Sequence, residues 1–293
     1  MDITQKNKDK SVKIASLLRW MPNKIYLKIL YRLKTGRKLN LKNPVGFNDK
    51  MNWLKLHNIN KSYSNYVDKI KAKEIVKDKI GEEHVIPLIG VWDRFDDIDF
   101  SKLPNSFVLK CNHDSGSAKV IKNKNDLTEQ DIKSLRKHFK HRLKTNMFYF
   151  AREYPYKKLK PQIFAEKYMV DESNYELKDY KFYCFNGVPE IYYIAKERGP
   201  DTRMDFYDMK CNHLDIVNIH YNSDHPVIGK PPHFEEMVEI AKTLSKGFPF
   251  VRIDLFSTKD NVYFAEYTFF AGAGLYLFEP EKWEKHLGDL IKL

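Results

Sequence analysis

Cysteine is scarce in this chain, long apolar runs are missing, and each absence narrows what the protein can be. Only three cysteines occur in 293 residues, Cys111, Cys184 and Cys211. Their odd number and wide separation exclude a disulfide framework and any CxxC metal pattern, and a reducing cytoplasm is the expected setting. No stretch approaches the ~18 apolar residues of a membrane span. The first apolar stretch, Ile14 to Leu18, is too short for a signal peptide and leads to no small-residue cleavage site. Repeats and low-complexity tracts are missing too. Intrinsic disorder is excluded by 42% hydrophobic and 14% aromatic residues. The length suits one large or two modest domains with a substantial core.

Acidic residues are thin at the front of the chain. The net charge is +12, and residues 1–80 hold 20 Lys/Arg against 6 Asp/Glu, a balance of +14, so the remaining residues sum to −2. A basic front end suits an anionic membrane surface, an acidic polymer or simply a lysine-rich solvated face. Nucleic acid is not an expected partner, because the basic excess lies outside the motif-bearing body. Apolar spacing from Val12 to Leu33, interrupted by Pro22, predicts two short helices with basic outer faces. Such helices either lie peripherally on a bilayer or turn inward to a small core.

Further along, a helix is expected to start near Asn48, capped by Asn48 or Asp49. A second helix runs over 66–76 to Gly81, with Lys69 and Lys73 one turn apart on what reads as a solvated face. A strand at 85–92 carries Pro87 at a sheet edge. The stretch Phe107-Val-Leu-Lys-Cys-Asn-His-Asp-Ser-Gly-Ser-Ala-Lys-Val-Ile121 reads as a strand bearing Lys110, a turn at 114–117 and a second strand. A lysine beside such a turn can converge with backbone N–H groups on a phosphate, although the spacing is not a Walker A loop. Thr128 or Asp126 starts a helix to Leu143, whose His138 and His141 lack a third ligand nearby and read as surface. A strand follows at 162–169. Asn186-Gly187 marks a hairpin between strands 180–185 and 189–196. After a strand at 203–207 and a helix at 235–244, a last hairpin (251–256, 262–268) carries Asp254 and Glu266. Two carboxylates on neighbouring strands suit Mg²⁺, which binds one or two carboxylates plus phosphate oxygens and water. Their register, and so whether they share a face, stays open. Arg252 shares its side of the strand with Asp254.

The order of these pieces resembles the ATP-grasp fold. Asp68-Lys-Ile-Lys-Ala-Lys73 is similar to the early lysine helix of the D-alanine–D-alanine ligases, Phe107–Lys110 with its turn to their lid strand, and Ala165–Met169 to their adenine hinge. Arg252-Ile-Asp254 and Glu266-Tyr-Thr268 resemble the metal pair. Within that superfamily the likeness is to the TupA-like group found among surface-polysaccharide genes. It rests on Asn-Pro-x-x-Phe-Asn at 43–48, Lys-Cys-Asn-His-Asp-Ser-Gly-Ser at 110–117, Asp-Tyr-Lys-Phe-Tyr-Cys-Phe-Asn-Gly at 179–187 and Glu-x-Thr-Phe-Phe-x-Gly-x-Gly at 266–274.

The resemblance implies an α+β ATP-grasp fold, two α+β subdomains with antiparallel sheets gripping ATP. A helical region over 1–65 would precede a body over 66–293, divided into a lid (about 83–165) and a metal-binding part (about 166–293). It implies that Lys73 and Lys110 bind the α- and β-phosphates and that Ser115, Gly116 and Ser117 close over the triphosphate. Glu166 and the backbone of Lys167 and Met169 would meet adenine, and Asp254 and Glu266 would hold Mg²⁺. Thr268 stands where relatives carry a metal-binding Asn. Asp171, Glu172, Glu176 and Asp179 are candidates for the ribose. Lys181 is the candidate for the γ-phosphate or acyl phosphate, and Arg198, Arg203 and Arg252 for a carboxylate substrate. The implied activity is carboxylate–amine ligation on an acidic sugar or glycan, with an amino acid or amino alcohol as the amine. A glycosyltransferase is the competing reading, but its acidic triplet is matched only by Asp97-Ile-Asp99, in a loop ahead of Pro104.

Overall fold

A computed structural model describes residue 12 and residues 14–170, 177–196, 203–218 and 230–293. Helix α1 (Asn23–Thr35) begins directly after Pro22, whose missing N–H costs nothing at a helix start, and ends at Gly36 in the left-handed region. It buries Tyr26, Leu27 and Tyr31 against Leu39, Leu41 and Leu275.

Helix α2 (Phe47–His57) starts from Gly46 and not from the expected Asn48 or Asp49. Asn48 is drawn into the first turn because its N–H and side chain bind Glu284 (2.7 and 2.9 Å) and its side chain also reaches Tyr276 O (2.5 Å). The single helix expected over 66–76 is two, α3 (Tyr63–Val67) and α4 (Lys69–Ile80). Asp68 separates them: its ψ of 107° leaves the helix, and its carboxylate caps Ile70 N and Lys71 N while accepting from Asn112 Nδ2 (3.1 Å). The boundary expected at residues 65 and 66 falls inside α3, and Phe47, Met51 and Leu54 before it share one hydrophobic core with Val67, Ala72 and Val76 after it.

A four-stranded antiparallel sheet follows, built from β1 (Leu88–Trp92), β2 (Phe107–Cys111), β3 (Lys119–Ile121) and β4 (Ile163–Lys167) in the order β1-β4-β2-β3. Pro87 precedes the edge strand, where a missing donor is tolerated. Helix α5 (Glu129–Arg142), started by a Thr128–Asp131 capping box, lays Phe139 into a core with Phe95, Phe107 and Leu109. The short α6 (Phe148–Ala151) leads on to β4.

A second, five-stranded antiparallel sheet contains β5 (Asp179–Phe185), β6 (Val188–Lys196), β7 (Arg203–Asp208), β9 (Phe250–Ser257) and β10 (Val262–Thr268), ordered β10-β9-β5-β6-β7. Asn186 and Gly187 both take positive φ (51° and 84°), the geometry of the expected hairpin turn. The short β8 (Val217–Asn218) pairs with β11 (Phe278–Glu279). Helix α7 (Phe234–Ser245) covers the sheet with Phe234, Met237, Ala241 and Leu244, and α8 (Lys282–Asp289) closes the chain against α2.

Candidate active site

Helix α4 joins two clusters of charge. Lys69 and Lys73, read from sequence as a solvated face, both have largely buried side chains. Lys73 donates to Ile86 O (2.8 Å) and lies 3.0 Å from Glu166. Lys110 binds the other oxygen of the same carboxylate. The register explains the convergence. Val108 on β2 faces Glu166 on β4, so Lys110, two residues on, shares that face. Burial would raise the Glu166 carboxyl, but Lys110 and Lys73 outweigh it and hold it below its ordinary value. Burial also lowers Lys73, against the pull of Glu166. Glu166, expected at the adenine, therefore lies between the two lysines expected at the phosphates. Lys167 closes β4 with its N–H given to Pro87 O (3.0 Å), and half-buried Met169 follows.

The turn after Lys110 divides its residues between anchoring and exposure. Asn112, His113, Asp114 and Ser117 are buried, whereas Ser115 and Gly116 are exposed, Gly116 with a φ of 86°. Arg142 of α5 binds Asp114 Oδ2 (2.5 Å) and Ser115 O (2.9 Å). The Ser117 hydroxyl donates to Asp114 Oδ1 (2.5 Å) and accepts from Cys111 N (2.8 Å), and His138 lies 3.1 Å from Ser117 O. The motif at 110–117 is thus mostly a clamp, and the two residues it presents are Ser115 and Gly116. No group of three or more His, Cys, Asp or Glu suited to a metal occurs among the described residues, so His138 serves as an anchor of this turn. The neighbouring Cys111 is no nucleophile, since burial pushes its thiol up to about 12.

The second cluster lies on one face of the five-stranded sheet. Lys181 of β5 is the register partner of Asp254 of β9, which in turn faces Glu266 of β10. The last pairing depends on a β-bulge. Phe264 faces Leu255 but Glu266 faces Asp254, so Ala265 is one residue in excess. Without it, Ala265 would oppose Asp254 and Glu266 would point to the other face. Arg252 grips Asp254 with two bonds (2.6 and 2.7 Å) and also reaches Thr268 Oγ1 (3.0 Å), Tyr193 OH (3.2 Å) and Glu266 (3.4 Å). Lys181 binds Asp254 and Asp179 (2.6 Å to the latter).

Lys69 connects this cluster to the clamped turn, donating to Asp114 O (2.6 Å) and lying 3.4 Å from Glu266. Burial opposes its charge, but Glu266 and Asp114 raise its pKa and keep it protonated. Burial would likewise raise Glu266, yet Lys69, Lys181 and Arg252 bring it down to about 2. Three carboxylates (Asp179, Asp254, Glu266) thus meet three cations (Lys69, Lys181, Arg252). Glu266 keeps its side chain 32% exposed whereas Asp254 is enclosed, so Glu266 and the Thr268 hydroxyl are the open edge of the set. Two carboxylates and a hydroxyl do not make a closed protein cage. Glu266 and Thr268 suit Mg²⁺ carried in with phosphate oxygens, and Asp254 would join them once Arg252 or Lys181 releases one of its oxygens.

Sequence reasoning missed Lys69, although its spacing from Lys73 was the available signal. Arg198, Asp171, Glu172 and Glu176 lie outside the described residues, as does the side chain of Arg203. The Asp97-Ile-Asp99 triplet is occupied locally: Asp97 binds Arg94 (3.1 Å) and Asp99 caps Ser101 N (3.1 Å).

A family model described as TupA-like ATPgrasp matches residues 49–292. Among curated proteins none matches the sequence. Similar solved structures include a D-alanine–D-alanine ligase from Bacillus anthracis complexed with ATP, at 14% identity and TM-score 0.43 over 77% of this chain and 63% of that one. The ATP-grasp ligase PsnB, complexed with a phosphomimetic precursor variant, Mg and ADP, is 12% identical at TM-score 0.40, over 78% and 58%. A Helicobacter pylori D-alanine–D-alanine ligase is 16% identical at TM-score 0.45, over 84% and 69%. The chain thus spans less than two thirds of the length of the first two.

Proposed function

The chain belongs to the TupA-like ATP-grasp family, and from that premise we propose that it is an ATP- and Mg²⁺-dependent ligase joining a carboxylate to an amine. The observation that carries this reading is α4, which sends Lys73 to the Lys110–Glu166 group and Lys69 to the clamped turn and Glu266. Cations from two sheets are thereby collected along one helix, as a polyphosphate requires.

In this reading Lys73 and Lys110 exchange Glu166 for phosphate oxygens of ATP, leaving the Glu166 carboxylate to accept from the adenine amino group beside the Lys167–Met169 backbone. Ser115 and Gly116 lie over the phosphates, held in position by Arg142. Asp179 is the ribose candidate within the described residues. Asp254, Glu266 and Thr268 would hold Mg²⁺, which when bound supplies charge neutralisation between the phosphoryl groups. Lys181 and Arg252, fixed by Asp254, orient the acid substrate and the transferring phosphoryl group. The substrate carboxylate oxygen attacks the γ-phosphorus, the bond to the bridging oxygen breaks and ADP leaves. The amine then attacks the acyl carbon of the acylphosphate, inorganic phosphate departs and the surplus amine proton passes to solvent. The proposed acid is a uronic acid or another acidic unit of a surface polysaccharide, and the amine an amino acid or amino alcohol. The cytoplasm, where ATP is supplied, is the proposed setting.

The test is Mg-ATP binding by thermal shift, comparing the wild type with Lys110→Ala and Glu266→Gln. Saturation at a hundredfold above Kd stabilises by ~2.7 kcal/mol, a shift of a few degrees. A magnesium-dependent shift lost in both variants, followed by ADP release with a uronic acid and an amine, is the expected outcome. A shift with a UDP-sugar and none with ATP would overturn the ligase in favour of a transferase.

A further inference from the structure

The N-terminal helices leave a surface that the candidate active site does not use. Among the described residues, six of the twelve large apolar side chains that are exposed lie between residues 14 and 33: Ile14, Leu17, Trp20, Ile25, Ile29 and Leu33. They are well exposed, with Leu33 at 78%, Trp20 at 73% and Leu17 at 71%. On α1 they fall at i, i+4 and i+8 (residues 25, 29 and 33), a single stripe at 3.6 residues per turn. Beside it, at 24, 28 and 32, runs a second exposed stripe of Lys24, Lys28 and Arg32. The buried side of the helix, with Tyr26, Leu27 and Tyr31, is already satisfied by the small core around Leu39, Leu41 and Leu275. The apolar stripe is therefore surplus to folding.

We propose that this face docks the protein on an anionic lipid surface, with α1 lying in the interfacial plane. Charge selects the occupant. From Ile14 to Asn48 the sequence has eight Lys or Arg and no Asp or Glu. A second copy of the chain, meeting the same face with the two helices antiparallel, would set lysine stripe against lysine stripe. A polyanionic glycan would satisfy the cations and leave Ile25, Ile29 and Leu33 in water. An anionic bilayer satisfies both stripes at once, the apolar one at the acyl boundary and the cationic one among headgroups, with Trp20 suited to the interface between them. No described helix is long and apolar enough to cross the membrane, so the contact is a surface one.

The test is co-sedimentation of the full chain with phosphatidylcholine vesicles that contain or lack phosphatidylglycerol, at low and high salt. Binding is expected only with phosphatidylglycerol, weakening with salt, with a blue shift of tryptophan emission that Trp20→Phe removes. The variant Lys24→Gln/Lys28→Gln/Arg32→Gln is expected to bind about a hundredfold more weakly, at about fivefold per cation. Ile25→Ser/Ile29→Ser/Leu33→Ser is expected to lose binding at unchanged net charge. An unchanged Mg-ATP response in both variants would show the fold intact and separate this question from the ligase reading. Three results would overturn the proposal: no binding to phosphatidylglycerol vesicles, full binding by the serine variant, or a concentration-dependent gain in mass without lipid that the serine variant abolishes.

Discussion

Replacing Arg142 by methionine removes the guanidinium that binds the Asp114 carboxylate and Ser115 O in the turn at 114–117. Arg142 and Asp114 are almost wholly enclosed, at 1% and 3% exposure, and their contact is 2.5 Å. Deleting one partner of a buried pair leaves the other charge desolvated, at a cost of about 3–5 kcal/mol. At about 2 °C per kcal/mol for a chain of this size, the melting temperature should fall by roughly 6–10 °C. The bond to Ser115 O disappears as well, so Ser115 and Gly116 are no longer pre-positioned. Mg-ATP affinity should therefore weaken by about tenfold, or ~1.4 kcal/mol, the size of one lost ordering hydrogen bond. Differential scanning fluorimetry and an ATP titration read both effects. The paired variant Arg142→Met/Asp114→Asn removes the stranded charge and should recover more than half of the lost stability while the ATP defect persists. A single variant that loses less than about 1 kcal/mol, or a paired variant no more stable than the single one, would refute the clamp.

Burial raises the Glu284 carboxyl to about 7. A carboxyl that binds its proton more tightly in the folded state contributes stability in full below its unfolded value, and that contribution is lost as pH climbs through about 7. Melting temperature should therefore rise as pH is lowered from 8 to 6, and Glu284→Gln should flatten that slope in a pH-resolved thermal scan. Lys69→Met severs the link between the turn and Glu266, and isothermal titration should show Mg-ATP binding about tenfold weaker or more, as for a charge-assisted contact. Unchanged affinity would remove Lys69 from the site.

Local chemistry made much of the fold legible. Asn186-Gly187 demanded a hairpin because both residues accept positive φ, and Thr128, one of the two expected starts, opens α5. What escaped depends on partners distant in sequence. Asp68 reads as one more polar residue within a helix until Asn112, in the turn after β2, fixes its carboxylate. Lys69 and Lys73 look solvated because the carboxylates that receive them, Glu266 and Glu166, are nearly 200 and 100 residues away. The motif at 110–117 signalled a special turn, but which of its residues face inward is decided by α5, whose Arg142 and His138 carried no signal in the sequence. The register of Asp254 and Glu266 stayed open for a related reason, since a bulge breaks the two-residue alternation on which such a reading relies.

That bulge makes residue count, rather than residue chemistry, the quantity that places Glu266. Any side chain that tolerates the strand can stand at position 265, because its task is to occupy a place in the chain. Deleting Ala265 would set Glu266 directly after Phe264, still opposite Asp254 in an unbroken ladder, whereas a further residue inserted between Phe264 and Glu266 would carry the carboxylate one place along and onto the other face. This short segment should accordingly be permissive to substitution at position 265 and to its loss, and intolerant of added residues, so that length sets where the Glu266 carboxylate stands.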